Sequence, residues 1–243
     1  MKVLLTRRSE DNARMVPVFA RHGLETVSLP LVELEDSGCR LPEGEADFTI
    51  FTSAAAVAIL ARRGVAPLAG KPAYAVGERT SDALAMLAYK DIRIGDGSAA
   101  DLAARIIAEQ SAAMAGAPSP TGLYLCGETR RAELEQRLEA AGIALVIAEL
   151  YRLRPLDMRR QALETALAAV RGGAIAVFSA ESGLRLMAQV RRHGMETHLS
   201  TLLLAGISEP AIRPLPANLF RKVIHADGPD AGVLAQAIQR NSR

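Results

Sequence analysis

The sequence predicts an α/β fold of two parallel-sheet domains, one of them interrupted by the other. Two observations predict it. First, the stretch from Gly122 to Leu153 reads strand, turn, helix, strand, and it echoes the opening of the chain from Lys2 to Leu34. In both, a short apolar strand (Val3-Leu4-Leu5-Thr6; Leu123-Tyr124-Leu125-Cys126) runs into an arginine-bearing turn (Arg7-Arg8-Ser9-Glu10; Gly127-Glu128-Thr129-Arg130-Arg131). A helical segment closed by Gly23 or Gly142 follows, then a second strand that continues into an extended arm, Glu25 to Leu34 or Ala144 to Leu153. Second, three further strands recur in order. Phe48 to Thr52, Ala73 to Val76 and Ile92 to Ile94 are matched by Ala174 to Phe178, Leu202 to Ala205 and Val223 to His225. Written as units, the chain runs A, B, C, D, E, A, B, C, D, E.

Element by element, Val3 to Thr6 reads as a buried strand, and the helix after it extends to His22 with Pro17 expected to kink it. Thr26 to Leu34 is a second strand whose end projects from its sheet. Ser37 to Glu45, polar and bearing Gly and Pro, is a crossing segment between domains. After the strand Phe48 to Thr52, Ser53 is placed to cap a helix over Ala54 to Arg63 that stops at Gly64. Ala73 to Val76 leads to a turn at Gly77, with Thr80 or Ser81 as cap of the next helix. Ile92 to Ile94 is short, Gly95 to Ser98 is a turn, and Ala100 to Gln110 is helical. The uncharged stretch Gln110 to Gly127, interrupted by Pro118 and Pro120, reads as a loop running into a strand. In the second half, helices are expected over Met158 to Arg171 and Ser182 to His193, with Ser179 standing where Thr52 or Ser53 stands in the first.

Alternating strands and helices imply parallel sheets with right-handed crossovers. If each domain needs all five strands, the first A and B must join the last C, D and E. Domain one is then residues 1–34 plus 155–243, domain two is 40–148, and the arms 35–39 and 149–154 lie side by side as a two-stranded antiparallel linker. Each domain is of flavodoxin-like or Rossmann-like type. A cleft between two such domains would be faced by strand ends and helix N-termini, whose N–H groups favour anions.

Composition narrows the function. With 243 residues, 49% of them hydrophobic, the chain can bury a substantial core. No apolar run approaches the roughly 20 residues that span a bilayer, and Met1-Lys2 leads directly into a strand, unlike a signal peptide. Cys39 and Cys126 form neither a disulfide framework nor a metal-ligand spacing. These features predict a cytoplasmic protein without metal or membrane attachment. A net charge of +2 gives no field that argues for nucleic acid. Of 29 basic residues only Lys2, Lys71, Lys90 and Lys222 are lysines. Arginine's planar fork suits carboxylates and phosphates. Much of the excess is compositional in so alanine-rich a chain, and the doublets just after strands are the informative ones.

Dinucleotide, Walker, nucleophile-elbow and zinc-protease motifs are all missing. His22, His193, His198 and His225 lie singly, and His22 and His193 suit helix C-termini better than catalysis. What remains is a set of hydroxyls and backbone N–H groups after strands, arginines beside them, and Tyr151 in the second arm. That set suits binding a large anionic ligand better than nucleophilic catalysis.

Along its whole length the chain resembles the uroporphyrinogen-III synthase family. The resemblance lies in Val3-Leu4-Leu5-Thr6-Arg7, Phe51-Thr52-Ser53-Ala54-Ala55-Ala56-Val57, Ala75-Val76-Gly77 with Thr80, Gly127 with Arg130 and Arg131, Leu150-Tyr151, and Phe178-Ser179-Ala180-Glu181-Ser182-Gly183. It implies the closure of the linear tetrapyrrole hydroxymethylbilane to uroporphyrinogen III, with inversion of ring D and loss of water, without cofactor. A substrate with eight carboxylates gives strand-end arginines and N–H groups a purpose. Holding the bilane so that ring D is attacked at its substituted carbon calls for positioning and for stabilising a cationic azafulvene. The resemblance makes Tyr151 the catalytic residue, assisting departure of the hydroxyl. It makes Arg7, Thr52, Ser53, Gly77, Thr80, Gly127, Arg130, Ser179 and Ser182 substrate-binding. It further implies a monomer that takes its substrate from hydroxymethylbilane synthase. Glu181 would repel a carboxylate unless it points away. With Pro210, Pro214 and Pro216, the family's helix over Glu209 to Pro216 is expected to be short or broken. The competing classes are a non-catalytic two-lobed polycarboxylate-binding protein, usually periplasmic, and a nucleotide-binding regulatory domain, which would need a phosphate loop.

Overall fold

The computed structural model describes residues 1–42, 44, 46–66, 70–113 and 119–241. Among them the elements run β1 (Lys2–Leu5), α1 (Ser9–Ala20), β2 (Glu25–Ser28), β3 (Val32–Asp36), β4 (Phe48–Phe51), α2 (Ala54–Arg63), β5 (Ala73–Ala75), α3 (Glu78–Met86), β6 (Ile92–Ile94), α4 (Ala99–Ala113), β7 (Thr121–Gly127), α5 (Glu133–Ala140) and β8 (Ala144–Pro155). They continue with α6 (Arg160–Ala169), β9 (Ala174–Val177), α7 (Ala180–Arg192), β10 (Leu203–Gly206), α8 (Glu209–Ile212), β11 (Lys222–His225) and α9 (Ala231–Arg240). Two short 3-10 turns, Glu196–Thr201 and Ala217–Leu219, flank β10 and α8.

The chain divides into two compact units, Met1–Glu33 with Arg154–Arg243, and Leu34–Leu153. In the first, five strands lie in the order β11-β10-β9-β1-β2, every neighbouring pair parallel. In the second, β8-β7-β4-β5-β6 are likewise parallel, with β3 added beside β8. In the repeat letters, both sheets read B, A, C, D, E in space. This is the flavodoxin-like order, in which the direction of winding reverses between A and C.

The inner strands β1, β4, β5, β7, β9 and β10 bury both faces, as parallel strands covered by crossover helices must. In the first unit Leu4, Ile175, Val177 and Leu204 pack towards α6, α7 and α8, whereas the alternating Val3, Leu5, Ala174, Ala176, Leu203 and Ala205 pack towards Phe19 of α1 and Leu234 and Ile238 of α9. In the second, Phe51, Ala73, Ala75, Leu123 and Leu125 face α2 and α3, and Phe48, Ile50, Tyr74 and Tyr124 face α4 and α5.

The ribbon of β3 and β8 is antiparallel. Ser37 N–H donates to the Leu150 carbonyl (3.0 Å) and Leu156 N–H to that of Leu31 (2.9 Å). Between them Arg152 meets Glu35 (2.8 Å) and Arg154 meets Glu33 (2.7 Å), a run of opposed pairs that fixes the register.

Several local expectations are corrected. Thr26 to Leu34 is two strands, interrupted at Leu29 to Leu31, where Pro30 offers no N–H and the buried Leu29 and Leu31 anchor the chain in the core. Thr80 and Ser81 do not cap α3 but lie inside it. Gly77, extended at φ −173° and ψ 177°, is the N-cap, and its carbonyl accepts from the N–H groups of both residues. α4 extends to Ala113 and β7 begins at Thr121; Pro118 lies outside the described residues. The C-terminal α9 is an additional helix, started by Asp230, whose carboxylate accepts from Gly232 N–H (2.7 Å) and Val233 N–H (3.1 Å). Ser53 and Gly64 do what the sequence suggests for α2. Ser53 Oγ accepts from Ala55 N–H (3.1 Å), and Gly64 takes the left-handed φ of 65° that closes the helix. The proline-bearing segment keeps only the four residues of α8.

Candidate active site

In a doubly wound sheet, ligands bind beyond the carboxyl ends of the strands where winding reverses. In the second unit that point lies between β4 and β7. Thr52 and Ser53 follow β4, and Gly127 to Arg131 follow β7. The Thr52 hydroxyl lies 2.9 Å from the hydroxyl of Tyr124, a β7 residue only 1% exposed. Burial pushes the Tyr124 pKa up to about 12, against a smaller opposing effect of the Thr52 hydrogen bond, so the phenol keeps its proton at neutral pH. The Arg130 guanidinium carbon lies 6.0 Å from the Tyr124 ring centroid.

Arg130 is not a free cation. It donates to Glu135 (2.6 Å) on α5 and to Glu149 (2.6 Å) on β8, and more weakly to the Gly127 carbonyl (3.3 Å). Burial alone would lower its pKa; the two carboxylates reverse that, and the guanidinium stays charged. Arg130 therefore fastens the β7–α5 loop to β8, at the position where β8 brings in Tyr151.

A bulge between Cys126 and Gly127 sets Gly127 opposite Tyr151, and Glu128 N–H donates to the Tyr151 carbonyl (2.9 Å). The Tyr151 ring lies directly on Gly127, so that a Cβ at 127 would stand 2.7 Å from ring carbons and 3.1 Å from the hydroxyl oxygen. Tyr151 is partly exposed, and its buried side packs on the core that includes Leu123, Leu125 and Leu150. Thr52, Ser53, Gly127, Arg130 and Tyr151 thus belong to one strand-end region. Gly77 and Thr80 belong to the next strand over. A Cβ added at Gly77 would meet the Gly97 Cα at 3.8 Å, an ordinary contact, and Thr80 is 3% exposed.

The first unit has its own reversal, between β1 and β9. The Arg7 guanidinium lies over the Phe178 ring at 4.9 Å, bridging those two strand ends. Behind it, the buried Asn12 amide ties the turn together, donating to the carbonyls of Leu5 (3.1 Å) and Arg7 (2.9 Å) and to Ser28 Oγ (2.8 Å). Ser179 Oγ accepts from Ser182 N–H (3.2 Å) as N-cap of α7, and Ser182 Oγ donates back to the Ser179 carbonyl (2.8 Å). Glu181, 73% exposed at its side chain, pairs with Arg185 one turn on, so its charge is already met.

Other candidate chemistry recedes. Burial pushes the Cys126 thiol up to about 12, so it is no nucleophile at neutral pH. His193 contacts the Met158 carbonyl at 2.9 Å. Among the described residues no cluster of His, Cys, Asp or Glu is placed to hold a metal, and no helix is long and apolar enough to cross a membrane. Nothing in the local sequence marks Tyr124, Glu135 or Glu149 as site residues. Alternation along β7 marks Tyr124 as core, and the partners of Arg130 lie on two separate elements, joined only by the sheet register.

Fold and strand ends together define a two-unit, doubly wound α/β protein with polar residues at the carboxyl ends of its strands. The family model described as uroporphyrinogen-III synthase HemD matches residues 13–236, and the chain belongs to that family. It is accordingly an enzyme, a cyclising lyase of haem biosynthesis that closes hydroxymethylbilane to uroporphyrinogen III. Among solved structures it resembles the uroporphyrinogen-III synthetase of Helicobacter pylori, at 15% identity over 100% of this chain and 99% of that one, with a TM-score of 0.63. A mutant uroporphyrinogen III synthase of Thermus thermophilus is similar at 16% identity over 99% and 98% of the two chains, with a TM-score of 0.51. At such identities these two likenesses speak for the fold. No curated protein sequence matches.

Proposed function

We propose that the cyclisation is performed chiefly by positioning, with Tyr151 as the group that assists departure of the bilane's terminal hydroxyl and with strand-end hydroxyls and N–H groups receiving its carboxylates. The observation that carries this reading is the Tyr151 ring held on Gly127 at the carboxyl end of β7, the strand that pairs with β4 just before Thr52 and Ser53, within a chain whose family matches from residue 13 to 236. Neutral donors fit the substrate. Thr52, Ser53, Gly77 N–H and the first turns of α2 and α7 offer hydrogen bonds without a fixed countercharge, while Arg130 is engaged by two glutamates. Arg7, Ser179 and Ser182 are the corresponding contacts of the other unit, and Thr80 acts from within α3, supporting the Gly77 turn. Domains 1–34 plus 155–243 and 40–148, with arms 35–39 and 149–154, are supported by the division into two compact units. The protein works in the cytoplasm as a monomer and receives its labile substrate from hydroxymethylbilane synthase.

The test is Tyr151→Phe, with turnover and thermal unfolding measured together. A more than tenfold loss of turnover in a normally folded variant supports the role. Wild-type turnover would reduce Tyr151 to a packing residue.

A further inference from the structure

Tyr124 has no part in the chemistry above, yet it is one of the largest buried side chains and its hydroxyl meets a proposed substrate contact. In the β4–β7 register Tyr124 lies beside Ile50, and the period of two along β4 puts Thr52 on that same face, one step nearer the strand's end. The phenol reaches along the sheet to Thr52 Oγ1 at 2.9 Å. Tyr124 is 1% exposed, whereas Thr52 lies at the partly exposed margin.

The direction of this hydrogen bond follows from cost. Were Thr52 the donor, the Tyr124 O–H would be left in the core without an acceptor among the described residues, and a buried unsatisfied donor is more expensive than the gain from an ordinary hydrogen bond. Tyr124 therefore donates and Thr52 accepts. A threonine hydroxyl that accepts from below has its own proton free to point outward. Arg130 lies beside the Tyr124 ring and is held by Glu135 and Glu149, which leaves its cation committed and the neutral Thr52 donor available.

We propose that Tyr124 is a positioning residue for substrate binding: by donating to Thr52 it turns the Thr52 O–H out of the sheet end as a donor for a carboxylate of the bilane. This rests on the reading of Thr52 as a substrate contact. The alternative is that the pair only laces β4 to β7, which would affect stability and leave affinity alone.

The experiment is steady-state kinetics with freshly generated hydroxymethylbilane, scoring isomer III formation, for wild type, Tyr124→Phe, Thr52→Val and the double variant, with thermal midpoints measured alongside. Tyr124→Phe is expected to raise KM about fivefold, the equivalent of one ordinary hydrogen bond, with kcat within about twofold of wild type. Thr52→Val is expected to do the same, and the double variant no more than either single. Thr52→Ser, which keeps both acceptor and donor, is expected to retain the wild-type KM even if the Tyr124 variant folds poorly. An unchanged KM in a folded Tyr124→Phe, multiplying effects in the double variant, or a Thr52→Ser as weak as Thr52→Val would overturn the proposal while the cyclase activity stood. A wild-type protein that forms no isomer III would instead remove the functional reading on which it rests.

Discussion

Gly127 and Tyr151 stand in van der Waals contact across the β7–β8 bulge, so closely that a single added methyl at 127 would come within 2.7 Å of the phenol ring. Gly127 has no left-handed φ to require glycine. Its lack of a side chain is instead what lets the ring lie down on the backbone.

Gly127→Ala is therefore a probe of ring position. The tyrosine must swing away or the bulge must shift, at about 1–3 kcal/mol, the usual cost of forcing an extra methyl into a packed site. Turnover is expected to fall at least tenfold, with an unfolding transition still cooperative. A variant that turns over normally would show that the position of Tyr151 against Gly127 is immaterial.

Arg130 is expected to behave as a tether. Arg130→Gln leaves Glu135 and Glu149 adjacent without their shared cation. Loss of charged hydrogen bonds at a partly exposed site should cost about 1–2 kcal/mol of stability. KM for the bilane should stay within about threefold. A tenfold rise in KM without loss of stability would make Arg130 the direct carboxylate contact that the sequence suggests.

The helix caps separate structure from binding. Ser53→Ala and Ser179→Ala should each cost about 1 kcal/mol in chemical denaturation. Ser53→Asp and Ser179→Asp keep a cap while placing a negative charge where carboxylates are proposed to bind. Restored stability with a KM raised severalfold is the expected pattern; restored stability with an unchanged KM would limit these serines to capping.

Asp36 provides a pH signature. Its carboxylate is paired with Arg63 and accepts from Gly38 N–H, which holds its pKa down at about 2. A depressed folded-state pKa contributes stability that is present above the unfolded value, near 4, and is lost as pH falls towards 2. Asp36→Asn should therefore be less stable than wild type at pH 7, with the gap closing steadily as pH falls from about 4 through 2. Because the Asp36 side chain is 38% exposed, the difference should shrink in molar salt. A difference that does not narrow between pH 5 and pH 2 would assign the effect to packing.

The sheets were legible in the sequence because a repeat of five strand units reports on topology without any knowledge of contacts. The cap at Ser53 and the stop at Gly64 were legible for a related reason, since both are decided within a few residues. The break at Pro30 was not, because Leu29 and Leu31 continue the apolar pattern of a strand and only the sheet shows where pairing changes. Thr80 has the chemistry of a cap but is not one, because Gly77, which has no side chain to donate or accept, begins α3 through its extended backbone. In the site, Tyr151 and Gly127 each stand out in the sequence, but their contact depends on the bulge. The Thr52 and Tyr124 pair is 72 residues apart in sequence, and no local pattern announces it.

The measurement that bears most directly on the whole account is the isomer distribution formed from hydroxymethylbilane by the purified protein, read by oxidising the products and separating the porphyrins. Unassisted closure yields the uninverted isomer I. Predominantly isomer III, formed at a rate that rises with enzyme concentration, is the predicted result. Isomer I at the uncatalysed rate, from protein shown to be folded, would contradict it and leave a two-unit polycarboxylate-binding protein in its place.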